Sequence, residues 1–292
     1  KTTYCTMSSP SSSYRLEGQV ICLTGASSGI GAAIAKSLYL EGAKVMIGAR
    51  RLEKLEEVVA DCKSIATPPP GDITPFVCDV TDRSSVQTFH DAAVAKYCDT
   101  SRDGNDSVDV MICCAGVMYF TQMKNALMDQ WDQTLDVNCR GVMNCIGVSL
   151  PKMVATNEQR AATPGTPKLP KKIVSITSDA GVRDFPNLAV YCASKTFVET
   201  MTEITRRELV GTGVTLHTVQ PGDVKGTELI MKNSDTEAAA KMGVEIGKPV
   251  GEGFDRNQLL DPQDVADAVL MILTAPPHVA INSILVESRD QE

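Results

Sequence analysis

Gln19-Val20-Ile21-Cys22-Leu23-Thr24-Gly25-Ala26-Ser27-Ser28-Gly29-Ile30-Gly31 is the stretch that decides the fold. Its first six residues read as an apolar strand, and three glycines follow at once. Beyond them Ile30, Ile34 and Leu38 fall on one face of a helix. Strand, glycine-rich turn and helix in that order make a phosphate cradle, because glycine lets the backbone approach a pyrophosphate that rests on the helix N-terminus. A glycine turn by itself can also be no more than a tight connection, so the next unit discriminates. Ala43-Lys44-Val45-Met46-Ile47-Gly48-Ala49 is a second strand, and it ends roughly 20 residues beyond the glycines, where a dinucleotide site reads the adenosine ribose. An NAD site would place Asp or Glu there. This chain has Ala49 followed by Arg50 and Arg51, cations that suit a 2′-phosphate, so NADP(H) is the expected cofactor. The competing reading makes the arginines the start of a solvated helix from Leu52 to Val59.

The pattern repeats along the chain. Thr74 to Cys78 forms a third strand, after which Asp79 can accept from an adenine amino group while Thr81 or Asp82 caps the next helix. Val108 to Cys114 is a fourth strand, closed by Ala115-Gly116; Lys172 to Ser178, Val214 to Val219 and Ile281 to Val286 complete the set. Strands alternating with helices predict an α/β fold: a Rossmann-type, doubly wound, mostly parallel sheet in three layers. One domain is expected over 15–292, behind a disordered tail at 1–14. A helix from Asp129 to Leu150 carries Asn138, an amide that needs a partner in mid-helix. Asp99 to Ser107 reads as a surface loop, Thr156 to Lys171 as a mobile insertion, and 228–260 as a lid over the strand ends.

Chemistry concentrates in Tyr191-Cys192-Ala193-Ser194-Lys195. Side chains at i and i+4 share a helix face, so Lys195 is expected beneath Tyr191, lowering the phenol pKa and making it a usable acid or base. Ser178 ends the fifth strand, where an open α/β sheet places ligand contacts.

Composition excludes other classes. Of 292 residues 43% are apolar and the formal charge is −8, enough for one large core and against general affinity for nucleic acid or anionic membrane. No run reaches the roughly 18 apolar residues of a membrane span, and a cytoplasmic location is expected. Ten cysteines are scattered without C-x-x-C or Cys/His spacing, which predicts reduced core thiols and no metal site.

Taken in order, Thr24-Gly25-x-x-x-Gly29-x-Gly31, Asp79-Val80, Ala115-Gly116, Asn138-x-x-Gly141, Ser178, Tyr191-x-x-x-Lys195 and Pro221-Gly222 resemble the short-chain dehydrogenase/reductase family from Leu16 to the end. The resemblance implies a catalytic tetrad of Asn138, Ser178, Tyr191 and Lys195, with Ser178 and Tyr191 on the substrate oxygen and Asn138 holding a proton-relay water. It further implies cofactor contacts from Gly25, Ser27, Ser28, Gly29, Ile30 and Gly31, from Arg50, Arg51, Asp79 and Val80, and from Cys114, Ala115 and Gly116. Tyr191, Lys195, Pro221, Gly222, Val224 and Thr227 complete that set. Hydride would pass between NADP(H) and a carbonyl or alcohol, in a homodimer or homotetramer. The segments Pro221 to Glu228 and His278 to Val286 look like the branch of NADP-dependent 3-hydroxy acid and serine dehydrogenases and farnesol dehydrogenase-like proteins. The family's asparagine before Ala115-Gly116 is here Cys113 and Cys114, which puts local strand bonding in question. A sugar-nucleotide epimerase would need a longer C-terminal domain, and a non-enzymatic NADP-binding regulator would tend to lose the Tyr or Lys that stand here.

Overall fold

A computed structural model describes residues 14–65, 70–98, 106–163, 165, 166, 168–252 and 259–289. Seven strands, β1 (Val20–Thr24), β2 (Lys44–Ala49), β3 (Asp72–Val77), β4 (Val110–Cys113), β5 (Lys171–Ile176), β6 (Val214–Pro221) and β7 (Ser283–Val286), form one parallel sheet in the order β3-β2-β1-β4-β5-β6-β7. Every pairing is parallel. The chain order turns back between β1 and β4, and this is where an open sheet leaves a crevice at its strand ends.

Alternation along β1 builds both cores. Ile21 and Leu23 pack on one side with Ile34 and Leu38 of α1 (Gly29–Leu40) and Val265, Val269 and Ile272 of a helix over Pro262–Thr274. Val20 and Cys22 pack on the other with Phe89 of α3 (Arg83–Tyr97) and with Cys145 and Met153. Period-two burial on both faces requires helices on both, which gives the three layers. Between these helices runs α2 (Leu52–Ile65), longer than the helix expected from Leu52 to Val59. Asp82, not Thr81, caps α3 by accepting from Ser84 N at 2.9 Å. Pro75 is tolerated because β3 is an edge strand.

The expected helix from Asp129 to Leu150 is two helices joined without a break. Met128–Leu135 (α4) runs through a π-helical turn at Asp136–Arg140 into Gly141–Ala162 (α5). The expectation of a mobile insertion from Thr156 is corrected: α5 continues past Pro151 to Ala162. Buried side chains hold it there. Thr156 meets the Ser107 hydroxyl at 3.1 Å, and the Asn157 amide bridges Leu169 N, Leu169 O and Thr212 O. Polar groups without periodicity are here the fastening of a helix end. Most of the surface loop at 99–107 lies outside the described residues, as do 1–13 of the expected tail and 253–258 of the lid.

Helix α6, which carries Tyr191 and Lys195, spans Ala189–Glu208, a short helix α7 (Thr236–Met242) lies within the expected lid, and α8 (Pro262–Thr274) starts on a capping box between Asp261 and Asp264. Asn233 and Asp235 tie the 228–260 segment to the loop after β4. Asn233 accepts from Phe120 N at 2.7 Å and donates to Met118 O at 3.2 Å; Asp235 accepts from Gln122 N and Asn125 Nδ2, each at 2.9 Å. Among the described residues every cysteine is free, no metal-binding cluster occurs, and no helix is long and apolar enough to cross a membrane.

Candidate active site

A cavity of about 830 Å³ opens at the carboxyl ends of β1, β2, β4, β5 and β6. One end is built from the glycine turn. Gly25 has φ +71°, and a Cβ there would stand 2.5 Å from Ala115 N; a Cβ at Gly31 would stand 2.2 Å from Gly25 O. Only glycine fits at either place, and the turn therefore presses directly on Cys114-Ala115. Helix α1 starts at Gly29 with no side chain capping its first turn, which leaves its N–H groups facing the cavity for an anion. Ser27, Ser28 and Ile30 line the same wall.

Arg50 and Arg51 follow β2 at the rim, beside a buried Ala49. Arg51 Nη2 donates to Ser27 Oγ at 3.1 Å and Ser28 Oγ at 3.4 Å, and pairs with Glu228 Oε2 at 2.9 Å. Asp79 and Val80 form the next wall: Asp79 Oδ1 accepts from Thr81 N and Thr81 Oγ1, and a Cβ at Gly141 would collide with Val80 at 2.7 Å. The cysteines before Ala115 leave the strand intact, because Thr24 Oγ1 accepts from Cys114 N at 3.2 Å and donates to Ile112 O at 3.3 Å. Pro221, Gly222, Val224 and Thr227 close the far side, with Gly222 N donating to Val286 O at 2.8 Å and Thr227 Oγ1 to Val224 O at 3.2 Å.

The other end holds Ser178, Tyr191 and Lys195. Ser178 lies two residues past β5 and starts a 3₁₀ turn over Asp179–Gly181. Its Oγ donates to Asp179 Oδ1 at 2.8 Å and accepts from Ala180 N at 3.2 Å. Lys195 is buried, donates to Ile176 O at 3.1 Å, and has its Nζ 5.6 Å from the centre of the Tyr191 ring. The two share a helix face as the spacing predicts. Their electrostatics differ from expectation. Burial pulls Lys195 down to about 8, and the Tyr191 phenol is raised, not lowered. Desolvation comes first, the carboxylates of Asp179 and Asp223 add to it, and a hydrogen bond with Ser178 pulls only partly back. A phenol with 4% exposure is short of solvent to stabilise its anion.

Asn138 does not line the cavity but stands behind it. Its Oδ1 accepts from Val117 N at 2.9 Å, and Nδ2 donates to Val117 O at 2.9 Å and Ser194 Oγ at 3.1 Å. Every other site residue read from the sequence lines the one cavity. The sequence reading missed Asp179, Asp223 and Glu228, which line it too. Asp179 adjoins Ser178 in the chain, so a carboxylate beside the hydroxyl was there to be read. The glycine cradle, the bare helix start and the two rim arginines together fit a dinucleotide with an added phosphate.

The short chain dehydrogenase family profile matches residues 19–238. Glycine betaine reductase ATRR of Emericella nidulans is 40% identical over 94% of this chain, and the chain spans 19% of that protein's length. An uncharacterized oxidoreductase of Staphylococcus aureus is 31% identical over 93% of this chain and 97% of its own. Among solved structures, the closed form of a serine dehydrogenase complexed with NADP+ superposes with a TM-score of 0.71 at 26% identity, covering 91% of this chain and 93% of the other.

Proposed function

The chain belongs to the short-chain dehydrogenase family, and from that premise we propose that it is an NADP(H)-dependent oxidoreductase that interconverts a carbonyl and a secondary or primary alcohol, with Tyr191 as general acid/base. The observation that carries this reading is the meeting of Ser178, Tyr191 and Lys195 in the same cavity as the glycine cradle. Bound NADP(H) would supply or accept the hydride. Gly25 to Gly31 would hold its pyrophosphate, Arg50 and Arg51 the 2′-phosphate, Asp79 and Val80 the adenine, and Lys195 the nicotinamide ribose. Ala49 in place of a carboxylate supports NADP(H) over NAD(H), as does the NADP+ complex of the serine dehydrogenase.

In the direction of carbonyl reduction the chain's own residues supply the proton. A Tyr191 phenol held protonated by burial and by Asp179 and Asp223 is a proton donor to a carbonyl oxygen at neutral pH. Ser178 orients that oxygen. Asn138, with its amide spent on Val117 and Ser194, serves the proton relay by holding the π turn in place. Exposed Leu135, Met143, Phe197 and Ile204 on α4, α5 and α6 support assembly as a homodimer or homotetramer. NADPH oxidation with a panel of aldehydes and ketones tests the reading; binding of NADPH with no turnover of any would favour a non-enzymatic NADP-binding regulator.

For the substrate, one observation points to a class. Two carboxylates, Asp179 and Asp223, share the cavity with Phe185, Leu188 and Tyr119, an acidic and aromatic setting suited to a methylated ammonium group. The relationship to a glycine betaine reductase supports the same choice. The expected substrate is a small aldehyde or ketone bearing a trimethylammonium group. Trimethylammonioacetaldehyde should surpass its neutral isostere 3,3-dimethylbutanal in kcat/KM by about tenfold or more, and equal efficiencies would discard this class.

A further inference from the structure

Glu199 stands four residues beyond Lys195 on α6, the spacing that sets two side chains on one helix face. Its carboxylate leaves the helix for the ends of two strands. Oε1 accepts from Thr177 Oγ1 at 2.5 Å and Oε2 from Thr218 Oγ1 at 3.0 Å. Both threonines are buried, and both matter by position. Thr177 lies between Ser178 and Ile176, the residue whose carbonyl accepts from Lys195 Nζ. Thr218 pairs with Ser175 in the sheet. One carboxylate thus fastens the end of β5 and the adjoining β6 to the helix that carries Tyr191 and Lys195. Gly181 packs against the same point: a Cβ there would meet Glu199 Cγ at 3.1 Å and Lys195 Cβ at 3.4 Å.

We propose that Glu199 is a positioning residue of this active site, which holds Ser178 and Lys195 in register and sets a compensating negative charge about one helical turn along from a buried ammonium. Glu199 does not line the cavity, so it acts through its neighbours. The groups that face Lys195 are the Cys114 thiol at the end of β4, the Cys139 thiol of the π turn, the Tyr191 ring one turn back and Glu199 itself. Burial raises both thiols and the phenol, which keeps those three neutral near pH 7. Desolvation of Lys195 is opposed by the two thiols first and by the Glu199 carboxylate after them, and with the thiols protonated the carboxylate is what remains.

The inference rests on Lys195 being the working cation of the proposed site, and its test does not need turnover. In protein labelled with [ε-¹³C]lysine, the Lys195 resonance, assigned by its loss in Lys195→Arg, is titrated in wild type, Glu199→Gln and Thr218→Val. Glu199→Gln should lower the Lys195 titration by about 0.5–1 pH unit, and with an active carbonyl substrate the alkaline limb of kcat should move down with it. Thr218→Val removes one hydrogen bond and keeps the charge, so it should lower the melting temperature and leave the titration in place. A Lys195 titration unchanged in Glu199→Gln would overturn the proposal and leave Glu199 a structural staple. Should Glu199→Gln not fold, Glu199→Asp carries the test: a carboxylate drawn back by one methylene shifts the titration by less, and no shift overturns the idea. Wild type that reduces no carbonyl compound would defeat the proposed activity while the titration still decides the role of Glu199.

Discussion

Arg51 Nη2 and Glu228 Oε2 lie 2.9 Å apart, joining the second residue after β2 to the first residue of the expected lid. The same guanidinium holds the Ser27 and Ser28 hydroxyls, so the cradle and the lid share one cation. A 2′-phosphate would compete with Glu228 for it. The pair is nearly half exposed on both sides, which limits its strength to roughly 0–1 kcal/mol. Glu228→Gln should therefore tighten NADPH binding by about two- to fivefold and leave NADH binding unchanged. Fluorescence titration with both nucleotides checks this; weaker NADPH binding in the variant would contradict it.

Cofactor choice turns on neighbouring positions. A charge-assisted grip on the 2′-phosphate by Arg50 is worth on the order of 1.5–3 kcal/mol, roughly 10- to 150-fold in affinity. Ala49→Asp with Arg50→Ile should invert the preference, because the new carboxylate accepts from ribose hydroxyls and repels the phosphate. The ratio of kcat/KM for NADPH and NADH, before and after, is the measurement. A wild-type preference for NADH would refute the reading of the β2 end.

Tyr191→Phe removes the proposed proton donor and little else, since the ring is buried in an apolar cluster that Phe can also fill. Turnover should fall by about two orders of magnitude or more, with NADPH affinity nearly intact. Activity within about threefold of wild type would take Tyr191 out of the chemistry.

Stability should depend on pH through two buried histidines. His90 and His217 are 0% and 1% exposed, and burial lowers each from 6.5 to about 4. Below about pH 6.5 the unfolded chain takes up protons that the folded one refuses, so their contribution is complete above that value. It is lost as pH falls from about 6.5 towards 4, on the order of 3 kcal/mol apiece at the limit. Urea unfolding at pH 7.5, 6 and 4.5 should show falling midpoints, and His217→Gln should flatten the trend. A midpoint constant over that range would exclude the mechanism.

Exposed Leu135, Met143, Phe197 and Ile204 predict an oligomer. Light scattering at micromolar concentration should give a dimer or tetramer mass, and Phe197→Glu with Ile204→Glu should lower it. A monomer mass in wild type would reject the assembly.

Much of this protein is legible in its sequence because the deciding signals are local. Val20 to Gly31 carries strand, turn and helix within one window, and Tyr191 and Lys195 stand one helical turn apart whatever surrounds them. Burial on both faces of β1 follows from its unbroken apolar run, and with it the three layers. What the sequence left open depends on residues far apart in the chain. Asn157 turns an aperiodic stretch into a helix end by reaching Leu169 and Thr212, and Asn138 finds its partners at Val117 and Ser194. The sign of the Tyr191 shift was beyond spacing altogether. An i,i+4 lysine predicts a lowered phenol, but that argument assumes solvent around the pair. Folding removes the solvent, draws Lys195 towards a backbone carbonyl and brings up Asp179 and Asp223, and the cost of burying a phenolate then dominates.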